Sequence, residues 1–409
     1  MKLKFLFFLL LSINLFAEGG SGYTRIGIGD LVLSGSARRN ALGGLGAALY
    51  ERDNVSANNP AAWTGLAVTR FETGIKVNSV FTKDQNYSSF YSNSKFSGFN
   101  IGIPIQRDYG ISFVAGINPY SDVRMKIINE DSKEGINYTQ TFEGLGGLSK
   151  SFFGLSYILP FNISFGASFD YYNGDIEHQH YILFNNSSYS DSYFKTVYKY
   201  SGIGGTFGLI TGDLTEYIEL GPLRDLRFGA AFSLASTLNS DTTYSLTSSY
   251  SDNTLSAGKT ETKIPFRLNL GLNFSYKRCS FVIDYLYQPW SEYKVSNRKD
   301  SQLQNQNKFA AGVEYRVPDD ASNDFFERFI FRGGIGYEQT QFKAKGKSID
   351  QLSLFGGFSF PIDQISSIDF SVEAGQRGTT DLNLLKENFL KFNFSINFGE
   401  LWFIRPENF

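Results

Sequence analysis

The feature that most constrains this fold is an alternation of apolar and polar side chains with a period of two. Arg267 and Asn269 stand between the apolar residues of a stretch near 266–276, and Lys391 and Asn393 do so in a stretch near 390–398. A period of two predicts extended strands whose two faces meet different environments. We expect these residues to face lipid: Phe266, Leu268, Leu270, Leu272, Phe392, Phe394 and Ile396.

Similar segments recur from residue 70 onward and predict about fourteen strands, an even number as a closed up-and-down barrel requires. The aromatic content of 16% supplies the rings that cover a lipid face and form belts at both interfaces. A soluble β-sandwich or propeller also alternates, but it does not need this aromatic surface. The expected fold class is therefore all-β, a transmembrane antiparallel barrel.

The first residues predict an export signal and not a structural element. Lys2 and Lys4 precede an apolar stretch near 5–16, and Ala17 is a plausible cleavage point. The stretch is too short for a membrane-anchoring helix, and no later run of 18 apolar residues predicts one. We therefore assign residues 1–17 to a signal peptide and 70–403 to the barrel, with 404–409 as a C-terminal tail.

The connections between predicted strands alternate between short turns and long polar segments. Short turns are predicted at 106–108, 160–161, 277–278 and 361–363, and longer inner connections with short helical pieces near 212–225 and 318–327. Long outer loops are predicted at 178–191 and 239–260, among others. Short periplasmic turns and long extracellular loops are typical of outer-membrane barrels.

Residues 18–69 interrupt the alternation and are rich in small side chains, as in 41–48. Small residues allow close packing in a confined space, whereas a wall strand would alternate. We expect this segment to fill the lumen as a plug. Its motif Asn59, Pro60 and Ala61 should lie inside the barrel near the first strand, since Pro60 stops pairing and Asn59 can bond unpaired backbone groups.

A signal peptide, a Gly/Ala-rich segment and an Asn-Pro-Ala motif before a barrel together resemble the outer-membrane hydrophobic-compound transporters of the long-chain fatty-acid (FadL/TodX-like) family. The match of motifs is concentrated in residues 36–63. The resemblance implies a fourteen-stranded barrel with a plug that controls passive uptake of hydrophobic small molecules. The run 36–44 also resembles the related barrels of type IX protein secretion. The fatty-acid transporters end at their last strand, whereas this sequence continues beyond it.

Catalytic and cofactor motifs were sought without success. His178 and His180 could share one side of an extended segment, but solvated loop histidines are the simpler interpretation. The sequence has no lipase motif, phosphate loop or dinucleotide fingerprint. A net charge of −2 does not indicate a basic surface for nucleic-acid binding. The single Cys279 allows no internal disulfide. We expect no enzyme activity, no catalytic or metal site and no cofactor.

Charged residues alternate with apolar ones on the predicted luminal face. Two interpretations stay open: a salt-bridged network that ties the plug to the wall, or a carboxylate headgroup site at Arg267 or Arg332. The members of the set are Glu72, Lys76, Asp170, Arg267, Asp284, Glu314, Arg332 and Glu373.

Pro119 stands at the end of the predicted third strand and cannot donate to the β-ladder. The strand either ends there or opens a gap, and the small Gly116 would leave such a gap uncovered. The family resemblance implies a lateral gate, because those transporters are thought to release ligand sideways through a kink in their third strand.

The leading functional hypothesis is a monomeric channel of a Gram-negative outer membrane for hydrophobic compounds such as fatty acids, with ligand and membrane lipid as its partners. The alternative is a barrel of a secretion or surface-attachment system that binds a protein. An apolar, ligand-sized pocket beside residues 34–63 favours the first hypothesis, and a sealed lumen with an exposed platform favours the second.

Overall fold

A computed structural model describes residues 19–33, 35–186, 188–235, 237–248, 251–316 and 328–402. The predicted signal peptide, the tail 404–409 and the connection 318–327 lie outside these ranges. Among the described residues, no helix has the length and apolarity needed to cross a membrane.

Nearly all regular structure is extended. The helical pieces are α1 (Ala37–Ala41) and 3-10 turns at Gly22–Arg25, Pro60–Gly65, Arg107–Tyr109, Pro160–Asn162, Leu214–Glu216, Trp290–Glu292 and Asp381–Asn383. The strands are β1 (Asp30–Leu31), β2 (Thr69–Lys83), β3 (Ser88–Gln106), β4 (Ile111–Pro119), β5 (Ser121–Lys133), β6 (Ile136–Leu159), β7 (Ile163–Phe184), β8 (Ser192–Ile210), β9 (Leu223–Ala235), β10 (Leu238–Ser248), β11 (Ser251–Lys263), β12 (Arg267–Tyr276), β13 (Cys279–Gln288), β14 (Lys294–Val295), β15 (Arg298–Lys299), β16 (Gln306–Tyr315), β17 (Ile330–Ala344), β18 (Lys347–Pro361), β19 (Ser367–Gly378) and β20 (Lys386–Glu400).

The described strands close into one antiparallel barrel. Around the ring the order is β2, β3, β4, β6, β7, β8, β9, β12, β13, β16, β17, β18, β19 and β20, and β20 pairs back onto β2. This gives 14 wall positions, as the alternation predicted. Closure leaves no free edge along most of the wall, which is the condition for β-structure in lipid.

The two faces of the wall are those that the sequence predicted. Leu270 is 41% exposed on the outside, whereas the neighbouring Asn269 is 5% exposed, and Asn393 is buried between Phe392 and Phe394. A one-residue slip would move the polar set into hydrocarbon, so the alternation fixes the register.

The loop predictions at 178–191 and 239–260 are wrong. Most of these residues belong to β7, β8, β10 and β11, which continue beyond the barrel as a sheet. Neither face of this extension meets hydrocarbon, so polar side chains fill both faces and its Ser/Thr-rich sequence resembles a loop. We call it the projecting sheet, residues 126–143, 177–199 and 240–260 where described, and take its end of the barrel as extracellular.

The periplasmic connection 212–225 contains the predicted helical piece. Asp213 caps the turn at Leu214–Glu216 and accepts backbone hydrogen bonds from Thr215, Asp225 and Leu226. Burial raises the pKa of the Asp213 carboxyl, but hydrogen bonds from Thr215 and Asp225 outweigh burial and hold that pKa below its usual value. The ionised carboxylate therefore organises this turn.

Candidate functional site: a seam in the barrel wall

One pair of neighbouring strands does not stay paired along its length. Pairing between β3 and β4 runs from Gln106 and Ile111 to Phe99 and Ile117, and then stops. On the extracellular side of this point, the described part of β3 pairs with β2 and no longer with the next wall strand. There β5 pairs with β6 and with the short β1. The described wall therefore has a seam between residues 88–98 of β3 and 121–125 of β5, above which β5 is an edge strand of the projecting sheet.

The break coincides with Pro119, which has no N–H to donate. On its other side Pro119 still pairs with Ser149 of β6, and the Tyr120 N–H donates to the Leu148 carbonyl oxygen at 2.7 Å. The third wall strand therefore remains attached to β6 while it separates from β3.

We call residues 19–33 and 35–66 the N-terminal segment, and its first part, up to Val32, lies along the exposed edge of β5. Asp30 and Leu31 pair with Asp122 and Ser121 as an additional strand, and the Val32 N–H donates to the Tyr120 carbonyl oxygen at 3.0 Å. Higher up, the backbone N–H of Arg124 donates to the Thr24 hydroxyl oxygen at 3.2 Å. These contacts satisfy backbone groups that β3 leaves unpaired.

Two glycines allow this close approach. A Cβ at Gly20 would lie 2.1 Å from the carbonyl oxygen of Arg124, and one at Gly29 would lie 2.2 Å from that of Asp122. Side chains of β3 complete the contact, because Lys95 forms an ion pair with Asp122 and the Tyr91 hydroxyl reaches the Lys126 carbonyl oxygen at 3.5 Å. The N-terminal segment and side chains of β3 therefore close the seam in place of backbone hydrogen bonds between β3 and β5.

Behind the seam lies a cavity of about 40 Å³, which we call the seam cavity. Its lining brings together two residues singled out from sequence, Pro119 and Arg267, with Tyr120 and Lys150 between them. This volume has room for a few water molecules or a headgroup but not for an alkyl chain.

Arg267 is the one predicted headgroup residue that reaches the seam cavity. Its guanidinium lies 5.2 Å from the centroid of the Tyr120 ring, and its Nε donates to Gln288 Oε1 at 3.1 Å. Its Nη2 is buried and has no hydrogen-bond partner among the described residues. A buried donor without a partner favours a ligand that accepts a hydrogen bond.

Arg332 lies elsewhere and is bound to other residues. Its Nε is 2.7 Å from Glu314 Oε2, and its Nη1 donates to Ser359 at 2.6 Å. Glu314 also pairs with Arg38 of the N-terminal segment at 3.1 Å. The arrangement favours the network interpretation for Arg332.

Gly116 does not border the opening, which corrects the sequence prediction. It is paired on both sides, with Asn100 of β3 and Phe152 of β6. A Cβ there would lie 2.2 Å from Asn100 Oδ1 and 2.9 Å from the Phe152 ring, so this glycine provides space for packing inside the barrel. Of the two predicted gate residues, only Pro119 lies at the seam.

The motif at Asn59, Pro60 and Ala61 is buried and lies against β7 to β9. Asn59 Nδ2 donates to the carbonyl oxygens of Ala47 at 2.6 Å and Ala230 at 3.3 Å, and Asn59 Oδ1 accepts from the Ala61 N–H at 3.0 Å. Asp284 accepts from the N–H groups of Gly46 and Ala47, both at 2.9 Å. Asp284 and the Ala230 carbonyl oxygen of the wall therefore hold the N-terminal segment at these points.

A cluster of buried apolar side chains lies toward the extracellular end of the lumen, and the alternation did not predict it. We call it the apolar closure; its buried members include Tyr23, Ile26, Ile28, Tyr172, Trp290 and Phe342. They come from distant parts of the chain, so no local pattern marks them. Beside the N-terminal segment, two further polar cavities of about 80 and 50 Å³ are present.

The two histidines lie in β7, not in a loop. His180 stacks on Phe142 with ring centroids 4.1 Å apart, and its Nε2 is 3.1 Å from Gln140 Oε1. No group of three or more metal-ligating His, Cys, Asp or Glu side chains occurs among the described residues.

Solved structures with a similar fold include two toluene transporters and a FadL homologue. The toluene transporter TbuX of Ralstonia pickettii is 18% identical with a TM-score of 0.62, and the match covers 90% of this chain and 99% of TbuX. A FadL homologue of Pseudomonas aeruginosa is 12% identical with a TM-score of 0.64 over 90% of this chain and 99% of its own. The toluene transporter TodX of Pseudomonas putida is 18% identical with a TM-score of 0.61, covering 91% and 100%.

No curated protein sequence matches the chain. The expected resemblance to type IX secretion barrels gains no support from these comparisons. The model of one family, BamG, matches residues 1–407. Because this match spans nearly the whole sequence, the chain belongs to the BamG family, and it is an outer-membrane β-barrel of the Gram-negative type with the fold of the FadL-like transporters.

Proposed function

We propose that the barrel transfers hydrophobic small molecules, such as long-chain fatty acids, between the extracellular side and the outer membrane through the seam. The observation that carries this proposal is the missing ladder between residues 88–98 of β3 and 121–125 of β5. A lateral path of this kind needs an opening in the wall, and other neighbouring wall strands are joined by ladders.

In this proposal the N-terminal segment is the plug, and it controls release. It occupies the edge of β5 through the short strand β1 and the contact of Thr24 with Arg124. The seam cavity is too small for an alkyl chain, so the ligand opens its path by displacing part of this segment. Pro119 keeps the two wall strands apart, and Arg267 meets the carboxylate.

A reversible cross-link tests this route. Leu31→Cys and Ser121→Cys, made in a Cys279→Ser background, place two thiols at directly paired positions of β1 and β5. Opposite residues of an antiparallel pair have Cα atoms about 4.5–5.5 Å apart, within the range of a disulfide. We expect the oxidised protein to lose most of its uptake of radiolabelled oleate in proteoliposomes, and reduction to restore it.

The control is Leu31→Cys alone in the same background, which should be insensitive to oxidant. Equal uptake by the oxidised and reduced double variant, with the cross-link verified by mass spectrometry, would exclude release through the seam.

Arg267→Gln tests the headgroup role separately. Removing a charge-assisted hydrogen bond costs about 1.5–3 kcal/mol, so we expect oleate to bind about 10- to 100-fold more weakly. Methyl oleate has no carboxylate and should bind as it does to the unmodified protein. Parallel losses for the acid and its ester would show that Arg267 acts through packing and not through the headgroup.

A second function is favoured by a different observation. The apolar closure packs against the start of the N-terminal segment, and the cavities beside that segment are small. The projecting sheet above it exposes Phe194 and Tyr244. Together these features suit a barrel that binds a protein partner through its extracellular surface.

Extraction in mild detergent followed by mass spectrometry distinguishes the two functions. A transporter should retain lipids or fatty acids, and the cross-linked variant should retain less of them. A barrel in a protein assembly should retain stoichiometric protein partners whether or not β1 is cross-linked to β5.

A further inference from the structure

A further cavity, larger than the seam cavity, lies away from the seam. It has a volume of about 390 Å³ and lies at the periplasmic end, between the N-terminal segment near Tyr50 and the turn that joins β12 to β13. We call it the periplasmic cavity. Neither the lateral route nor the headgroup role of Arg267 uses it.

One side of the periplasmic cavity is apolar. Leu42, Leu49 and Val282 form a buried cluster, and all three line it. Tyr50 extends this surface, with the guanidinium of Arg227 4.4 Å from the centroid of its ring. An apolar surface of this kind is suited to a short hydrocarbon chain.

The acidic side chains that line the cavity already have basic partners. Glu51 is 2.9 Å from Arg38, and Asp225 is 2.5 Å from Arg227. The remaining two are Asp53, paired with Arg70 and Arg316, and Glu314, paired with Arg38, Arg316 and Arg332. Their charges are neutralised within the protein.

The basic side chains at the mouth are different. Arg52 and Arg278 are exposed and have no acidic partner among the described residues, and the Lys277 ammonium lies 5.2 Å from the centroid of the Tyr276 ring. These cations surround the opening of a cavity whose interior is partly apolar. An anion held there would gain Coulomb energy without displacing an existing partner.

We propose that the periplasmic cavity is a second binding site, for an amphiphilic anion with a carboxylate at one end and a short apolar chain. The chain packs on Leu49 and Tyr50, which lie over the buried Leu42 and Val282, and the carboxylate lies among Arg52, Lys277 and Arg278. This inference goes beyond the seam proposal, because it concerns a different site on the periplasmic side.

A thiol placed in the cavity reports its occupancy. Ser280 lines the cavity, and its hydroxyl donates to Asn273 Oδ1 at 3.0 Å. Ser280→Cys, in a Cys279→Ser background, is purified as the full chain in dodecyl maltoside and alkylated with N-ethylmaleimide. Sodium decanoate should slow alkylation several-fold, whereas acetate and decan-1-ol at the same concentration should not.

Charge variants identify the anion site. Arg52→Gln together with Arg278→Gln should abolish protection by decanoate. The matched control is Arg107→Gln, in another periplasmic turn outside the cavity lining, which should leave protection unchanged. Heat-modifiable migration in gels checks that each variant is folded, and Ser275→Cys provides a second reporter in the same lining.

Three results would overturn the proposal: no protection by decanoate, equal protection by decanoate and decan-1-ol, or protection that survives the double Arg variant. The assay measures binding to purified protein and requires no transport. Loss of the seam function in the cross-linked variant and loss of protection here can therefore be observed independently.

Discussion

Replacing Glu314 with alanine is expected to lower the free energy of unfolding by about 3–5 kcal/mol, because breaking a buried ion pair leaves uncompensated charge. Glu314 is 9% exposed and lies within 3.4 Å of guanidinium groups of Arg38, Arg316 and Arg332. Arg38 belongs to the N-terminal segment and Arg332 to β17, so the substitution weakens the attachment of that segment to the wall.

Denaturant titration in detergent, followed by tryptophan fluorescence, measures this effect. The buried Trp63 lies in the N-terminal segment and reports its release. Glu314→Gln keeps the shape of the side chain without its charge and should also be destabilising. The control is Glu216→Ala, at an exposed carboxylate in a periplasmic turn, which should change stability by no more than about 0.5 kcal/mol. A loss in Glu314→Ala that is no larger than this would contradict the assigned role.

Gly208→Val is expected to expel the N-terminal segment from the barrel. A Cβ at Gly208 would lie 1.9 Å from Asn59 Oδ1 and 2.8 Å from the Ala61 backbone nitrogen. Ordinary overpacking costs about 1–3 kcal/mol, and here the obstacle includes a backbone atom that a rotamer change cannot move. The substitution lies on the luminal face of β8, so the ladders on either side of β8 can persist.

Limited trypsin digestion provides the measurement, because Arg38, Arg39 and Arg52 are cleavage sites that lie within the N-terminal segment. Rapid cleavage there, together with a large increase in single-channel conductance, is the expected result. Gly205→Val is the matched control on the same strand, since the nearest atom to its Cβ would be the Ser168 carbonyl oxygen at 3.3 Å. Equal protease resistance in the two variants would show that the contact between Gly208 and Asn59 does not hold the segment.

These two variants separate the forces that hold the N-terminal segment. Glu314→Ala removes the carboxylate that pairs with Arg38 of α1. Gly208→Val fills the space that the Asn-Pro-Ala motif occupies against β8. If seam transport is the function, both should change uptake, because both alter how readily the segment leaves β5. A protein-binding barrel would retain its partner in both variants unless that partner contacts the segment.

The alternation alone determined the barrel, its strand number and the face of each wall residue. The physical reason is local: successive side chains of a strand point to opposite sides, so a lipid face and a luminal face impose a period of two. This rule alone predicts that the side chains of Asn269 and Asn393 lie inside the barrel and that of Leu270 outside it. Beyond the membrane neither face meets hydrocarbon and both carry polar side chains, so the rule no longer distinguishes a strand such as β10 from a loop.

The tertiary structure decided where the wall opens and what closes it. Pro119 predicted a break, but only ring closure determined that β3 loses its ladder while β6 keeps it. The contact of Gly46 with Asp284 and the pairing of Leu31 with Ser121 join residues far apart in the chain. Small residues in the N-terminal segment indicated close packing, but a sequence pattern carries no information about which distant backbone lies against them.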